Sequence, residues 1–556
     1  MRISLLSWLS LIPLCSLFLS FLVFAVSGQC LGKQQSLLLD LKNGLKFNST
    51  LSTKLVYWNE STDCCSWEGV TCSEGRIVGL NLDSESIYGG LDNSSSLFHL
   101  QYLQNLRIPP EFGNLTNLSY LNLSNSGFSG PVPTQISRLT RLVTLDLSTL
   151  LSISSLRLES PDFATLVQNL SHLTELYLDG VFISAPGIEW CKALSSSLPN
   201  LRVLSMSYCF LSGPLHSSLQ KLQSLSVIHL NNNRFYVTIP EFFADFTNLS
   251  SLKLSSSRLI GTLPRKILQV PTLQLLDLSK NELYGSLPEF HPNGALQSLL
   301  LSETKFSRTL PTSIANLKRL SKLDLSGCNF NGSIPISMEN LTHLVHLDMS
   351  FNNFSGPVPS FIMAKKLTEI NLSNNNLTGQ ITFNYWKELR SLVNLDLRYN
   401  SLEGSIPMSL FSLPLLQKLQ LSYNHFSDQL PEFFNVSSYQ LDTLDLSSNN
   451  LEGPIPMSIF ELRGLQNLLL SLNNFSGSWQ LNAFQQLRNL SNLGLSHNSL
   501  LIEYNGANSL SFPKIESLGL ASTKLKTVPD FLRNHSNLVI LDLSDNQIHG
   551  EIPNWI

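Results

Sequence analysis

Charge is what this chain has least of. Of its 556 residues, 14% are charged, against roughly 25% in an ordinary globular domain. The 36 Lys and Arg nearly balance the 40 Asp and Glu, and no basic run occurs. That excludes nucleic acid and an anionic membrane surface as the natural partner. Long apolar runs are scarce as well: after residue 30 none reaches 18 residues, so no membrane-crossing helix is expected there. The G-x-x-x-x-G-K-[ST] phosphate loop, the G-x-S-x-G elbow and H-E-x-x-H are all missing, which removes familiar phosphoryl, acyl and zinc chemistry. His343 and His346 in "THLVHLD" point to opposite faces of an extended chain, so they do not share a metal. The chain reads as a binding protein that is not an enzyme and needs no cofactor.

What is present begins with Met1–Arg2 and an apolar stretch from Leu5 to Val26. With Val26 and Gly28 at positions −3 and −1 of a cleavage site, residues 1–28 form a signal peptide and the mature chain starts near Gln29. Seventeen N-x-S/T acceptors follow, at Asn48, Asn59, Asn93, Asn114, Asn117, Asn122, Asn169, Asn248, Asn331, Asn340, Asn353, Asn371, Asn376, Asn435, Asn474, Asn489 and Asn534. Together they point to a secreted glycoprotein.

Leu, Ser and Asn fill the space left by charge, and they do so periodically. "LDLSKNELYGSLP" (276–288) returns as "LDLSGCNFNGSIP" (323–335) and "LDLSSNNLEGPIP" (444–456). Aligned on L-x-x-L-x-L, fourteen consecutive units of 23–25 residues start between Leu201 and Ile515, and an incomplete one starts at Leu538. This period and core are those of leucine-rich repeats. Each unit supplies one short strand, with Leu323 and Leu325 inward and Lys322, Asp324 and Ser326 outward. The fold class is therefore an α/β repeat solenoid, stabilised by neighbouring units that cover one another's apolar faces.

One position in each unit is Asn, at 233, 281, 352, 375, 400, 424, 449, 473, 498 and 546. Ser126, Cys209, Ser257, Thr304, Cys328 and Thr523 replace it elsewhere. All are small hydrogen-bond donors, which fits an inward ladder that satisfies buried loop carbonyls. Cys328 is then scaffold rather than a reactive thiol. Four other cysteines, Cys30, Cys64, Cys65 and Cys72, precede the first repeat and read as two disulfides stapling a cap. Adjacent Cys64 and Cys65 are poor partners, which leaves two connectivities. Cys191 and Cys209 are candidates for a third bridge, set against a ladder role for Cys209.

"CCSWEGVTC" followed by L-x-x-L-x-L-x-x-N-x-L-x-G-x-I-P units resembles the plant-type leucine-rich repeat receptors over nearly all of residues 30–556. The segment 166–215 and "QVPTLQLLDLSKNELYGSLPEF" are similar to receptor-like proteins of the tomato Verticillium-resistance type. The resemblance implies a plant-type superhelix with a concave parallel β-sheet and a disulfide-stapled N-terminal cap, paired Cys30–Cys64 and Cys65–Cys72. It further implies an extracellular receptor at the plasma membrane, without its own kinase, that signals through partner receptor kinases in defence against pathogens. The domains are then a signal peptide (1–28), a cap (29–75) and about 20 repeats (76–556). Two departures stand out. The second repeat is shortened at 100–117, and the last one stops inside its consensus, which leaves Leu538, Leu541, Leu543 and Ile548 facing solvent. Residues 142–200 are irregular. If the product does end at Ile556, a secreted, apoplastic location is implied.

Ligand specificity is expected on the outward strand positions, where departures from the repeat stand out: Tyr177, Tyr208, His229, Lys253, Leu300, Phe351, Tyr399, Gln420, Tyr423 and Leu469. The recurring Asp of "LDLS" is consensus. The expected ligand is a protein or peptide of microbial origin. Two alternatives are an inhibitor of secreted polygalacturonase and a developmental co-receptor for other repeat receptors.

Overall fold

The computed structural model describes residues 30–554, apart from 51, 83–84, 86, 90–95, 97–104, 107, 127, 150–155, 159–161, 184, 382–383, 434–439, 505–511 and 552. The signal-peptide segment and the Asn93 and Asn435 sequons therefore lie outside the described residues. The chain divides into two compact units, Met1–Ser212 and Gly213–Ile556.

The first unit opens with the cap. Helix α1 (Gly32–Gly44) buries Leu38 and Leu41. Disulfides join Cys30 to Cys64 and Cys65 to Cys72, with Cα separations of 5.6 and 5.5 Å. Of the two connectivities open from the residues alone, this is the one the receptor resemblance implied. Trp58 and Trp67 stack at 5.3 Å between ring centroids. The hairpin Val70–Ser73 and Arg76–Leu80 then delivers the chain to a two-residue strand, Asn105–Leu106, which pairs in parallel with Gly79 and Leu80. Within the shortened 100–117 segment, Pro110–Asn114 form a single 3-10 turn. Residues 100–104 and 107 lie outside the described set.

Regular stacking follows, with Leu121, Leu145, Leu176 and Leu204 in register on four parallel strands. The irregularity at 142–200 is a change of connector. Helices α2 (Asp162–Val167) and α3 (Gly187–Ser197) replace the short 3-10 turns found elsewhere. Starts at Leu173 and Leu201 are 28 residues apart (201 − 173), against 23–25 in the later units, so the longer connector can close helical hydrogen bonds.

In the second unit, fourteen parallel strands run from Val227–His229 to Ile540–Asp542. Their central residues, from Ile228 through Leu323 and Leu419 to Leu541, pair one to one. A second ladder of eight short strands, from Ile260–Gly261 to His425–Phe426, runs behind it. Pro of the I-P or L-P element N-caps the connecting 3-10 turns, as Pro311, Pro335 and Pro456 do. Pro suits that point because its fixed φ starts a turn and its missing N–H is not needed.

Leu323 and Leu325 are fully buried, and Phe306, Phe330 and Phe354 stack behind them at 6.4 and 6.0 Å. The Asn ladder is the polar part of this core. Asn400 Nδ2 donates to the carbonyls of Leu372, Leu397 and Arg398, while its Oδ1 accepts from Leu377 N–H. Cys328 holds the same slot. Its thiol faces the Leu301 carbonyl at 3.3 Å and Thr304 Oγ1 at 3.2 Å, and burial raises its pKa. A raised thiol pKa opposes thiolate formation, so Cys328 is scaffold.

Candidate ligand-binding face

Each strand is only three residues long, and this sorts the ten candidate residues into two rows. Tyr177, His229, Lys253, Leu300, Gln420 and Leu469 are third strand residues, half-buried beside a fully buried central Leu or Ile. Tyr208, Phe351, Tyr399 and Tyr423 lie outside the strands. They sit three residues past a strand end, just before the ladder position, because the chain has already turned there.

That second row has a backbone signature that the residue types did not announce. Tyr208, Phe351, Tyr399 and Tyr423 have φ of 58°, 53°, 54° and 55°, in the left-handed region. Asn232, Ser256, Lys280, Glu303, Gly327, Asn374, Ser448, Leu472 and His497 occupy the same turn position with positive φ. Turning there lets the N–H groups from Asn232 to His497 reach a carbonyl of the next repeat: Phe351 donates to Ser373 O, and Tyr399 to Ser422 O. Leu472, half exposed, and His497 belong to this row and were missed from sequence. The usable signal was position, immediately before the ladder residue, rather than residue type.

Around Tyr399 the face has defined chemistry. Tyr399 and Tyr423 stack in parallel at 4.2 Å with their planes 9° apart. Partial desolvation, then the bond between the two hydroxyls, holds the Tyr399 phenol above its ordinary pKa. Arg398 forks onto Asp396, Nε to Oδ1 at 3.0 Å and Nη2 to Oδ2 at 2.8 Å. His229 Nε2 lies 2.9 Å from Ser251 Oγ. Tyr177 is pushed up in pKa by burial and by the charge of Glu175. In the first unit, Cys209 fills the ladder position, its thiol 3.0 Å from the Leu178 carbonyl. This is the scaffold role that was set against a bridge to Cys191.

The consensus Asp residues are turn-makers. Asp348 accepts from Ser350 N–H and Oγ and from Asn371 Nδ2. Burial, with a further contribution from the Asp324 charge alongside, raises its pKa. The charged form is thus disfavoured in the folded state. Asn already fills this slot at 371, bonding Ser373 in the same way. Asp348→Asn is therefore expected to raise the melting temperature at pH 7. The gain should vanish as pH falls to where the carboxyl is protonated in both states. Calorimetric scans of both proteins across that range check the sign. Asn371, a sequon residue on this face, is half-buried with its Nδ2 held by Asp348, whereas Asn122 in the first unit is exposed.

Comparison with known proteins agrees with this architecture. Residues 31–73 match the leucine rich repeat N-terminal domain, residues 223–283 match a leucine rich repeat family, and nine further stretches between 117 and 556 match leucine rich repeats singly. The chain belongs to the leucine-rich repeat proteins. Among relatives, it is 33% identical to Receptor-like protein 6 of Arabidopsis thaliana over 298 residues, 50% of this chain and 25% of that protein. It is 32% identical to the Receptor-like protein Cf-9 homolog of Solanum lycopersicum over 192 residues, 32% of this chain and 22% of that one. The chain thus spans about a quarter of the length of the curated relatives it matches. In structure it is similar to the Arabidopsis receptor kinase HAESA in complex with the peptide hormone IDA and the co-receptor SERK1. That match has a TM-score of 0.73 and 28% identity, covering 94% of this chain and 91% of that one. Among the described residues, no helix is long and apolar enough to cross a membrane.

Proposed function

We propose that this leucine-rich repeat chain is the extracellular ligand-binding part of a plant receptor-like protein without its own kinase. On this reading it recognises a microbial protein or peptide outside the plasma membrane and signals through partner receptor kinases. The relatives support the receptor class, and a structural neighbour that binds a peptide hormone together with a co-receptor supports the ligand and partner classes.

The observation that carries the reading is the row of Phe351, Tyr399 and Tyr423, exposed by 61%, 46% and 47%. A side chain with a Cβ in the left-handed region costs about 1–2 kcal/mol. The turn does not need a ring there, since Gly327 and Asn374 make it without one. Strained, solvent-facing aromatics that folding does not require are binding anchors in waiting. The triple variant Phe351→Asn, Tyr399→Asn, Tyr423→Asn should keep or raise the melting temperature. It should bind fractionated apoplastic fluid from infected leaves at least about tenfold more weakly, the loss expected of aromatic anchors. Unchanged binding by the variant, or no binding by the parent to any fraction, sinks the reading.

A further inference from the structure

On the second unit, away from the strand face, a groove of about 1140 Å³ opens beside the 3-10 turn Leu481–Gln486. Asn482 and Gln486 line it together with Arg463, Arg488, Asn489 and Lys514. Nothing in the binding reading uses this place. Two features set it apart. Asn489, exposed on the groove wall, heads the sequon Asn489-Leu490-Ser491, and its Nδ2 donates to the Arg463 carbonyl at 3.2 Å. That bond holds the amide nitrogen, the atom a glycan would be attached to, in a fixed orientation on the wall. In addition, the exposed side chains of Gln486, Arg488 and Lys514 offer hydrogen-bond donors along the groove.

We infer that the groove seats the protein's own N-linked glycan, carried on Asn489. Sugar hydroxyls both donate and accept. They can accept from Gln486, Arg488 and Lys514, which line the groove with exposed donors. Covalent attachment at the groove edge makes the local concentration of this occupant far higher than that of any free ligand. The glycan then acts as a strap over the groove rather than a free antenna.

The chain provides its own control. Asn248 in "TNLSSL" holds the same repeat position as Asn489 in "RNLSNL", immediately before the first consensus Leu, and is also exposed. The full chain would be secreted from cells restricted to high-mannose glycans and treated, folded, with endoglycosidase H. Release at each site is read by peptide mass spectrometry. Release from Asn489 should be about tenfold slower than from Asn248, because a seated glycan is cleaved only while it is out of the groove. The difference should disappear after denaturation. Gln486→Ala and Lys514→Ala, exposed and outside the core, should speed release at Asn489 alone. Equal native rates, an Asn489 left bare while Asn248 is occupied, or groove variants without effect would each overturn the inference. If every sequon is bare, the reading of an exported protein fails with it.

Discussion

Asn424→Ala should cost the second unit about 3 kcal/mol and split its unfolding into two steps. Asn424 Nδ2 donates to the carbonyls of Leu397, Leu421 and Ser422, and its Oδ1 accepts from Leu402 N–H. The carbonyls have second donors: Asn400 also reaches Leu397 O, and Asn449 also reaches Leu421 O. The Leu402 N–H is the group left buried without an acceptor, and that accounts for most of the cost. In a repeat array stability is a sum of units and nearest-neighbour couplings, so one weakened coupling lets the two flanking segments melt apart. Hydrogen exchange during mild denaturation would report separate protection on either side of residue 424. The ladder account is wrong if Asn424→Ala is no more harmful than Asn450→Ala, a change at an exposed neighbour.

Glu85→Ala should loosen the cap by about 3–5 kcal/mol, in the range for stripping a buried charge from its hydrogen bonds. Glu85 is fully buried. Its carboxylate accepts from Thr53, Lys54 and Leu55 N–H at 3.2, 3.0 and 2.9 Å, and from the hydroxyls of Ser52 and Thr53. Burial alone would raise its pKa, but these bonds outweigh it and hold the carboxyl below the ordinary value of 4.5. Stability from Glu85 is therefore fully present above about pH 4.5 and is lost as pH falls through the lower, folded value. The stacked Trp58–Trp67 pair lies a few residues from this hub. Loss of its fluorescence signature on mild heating is the readout. Glu85→Gln, which retains one acceptor, should fall between. A variant cap that melts with the parent's profile at both pH 7 and pH 4 would refute the hub.

How much of this was legible beforehand depended on the range of the interactions. Cys328 could be read as scaffold from residue type alone, because the ladder repeats every 23–25 residues and each occupant shares one chemical property. The third-strand row was legible for the same reason: alternation on a strand sends Gln420 and Leu469 outward whatever surrounds them. The left-handed row was not. Tyr, Phe, Asn, Glu and Leu all occupy it, so no residue type marks it. Its φ is imposed by inter-repeat hydrogen bonds such as Tyr423 N–H to Ser447 O, made across a full repeat.

By itself, the sequence determined the repeat, its register, the inward leucines and the role of the polar ladder. Each of those follows from a local period repeated until only one stacking satisfies it. Tertiary structure decided the rest. It decided that Glu85 gathers a loop 30–33 residues upstream, that four of the ten candidate residues stand in strained turns beyond the strands, and that Asn489 lies on a groove. None of these has a period, because each depends on which non-adjacent residues a stacked chain brings together, and no local pattern encodes that.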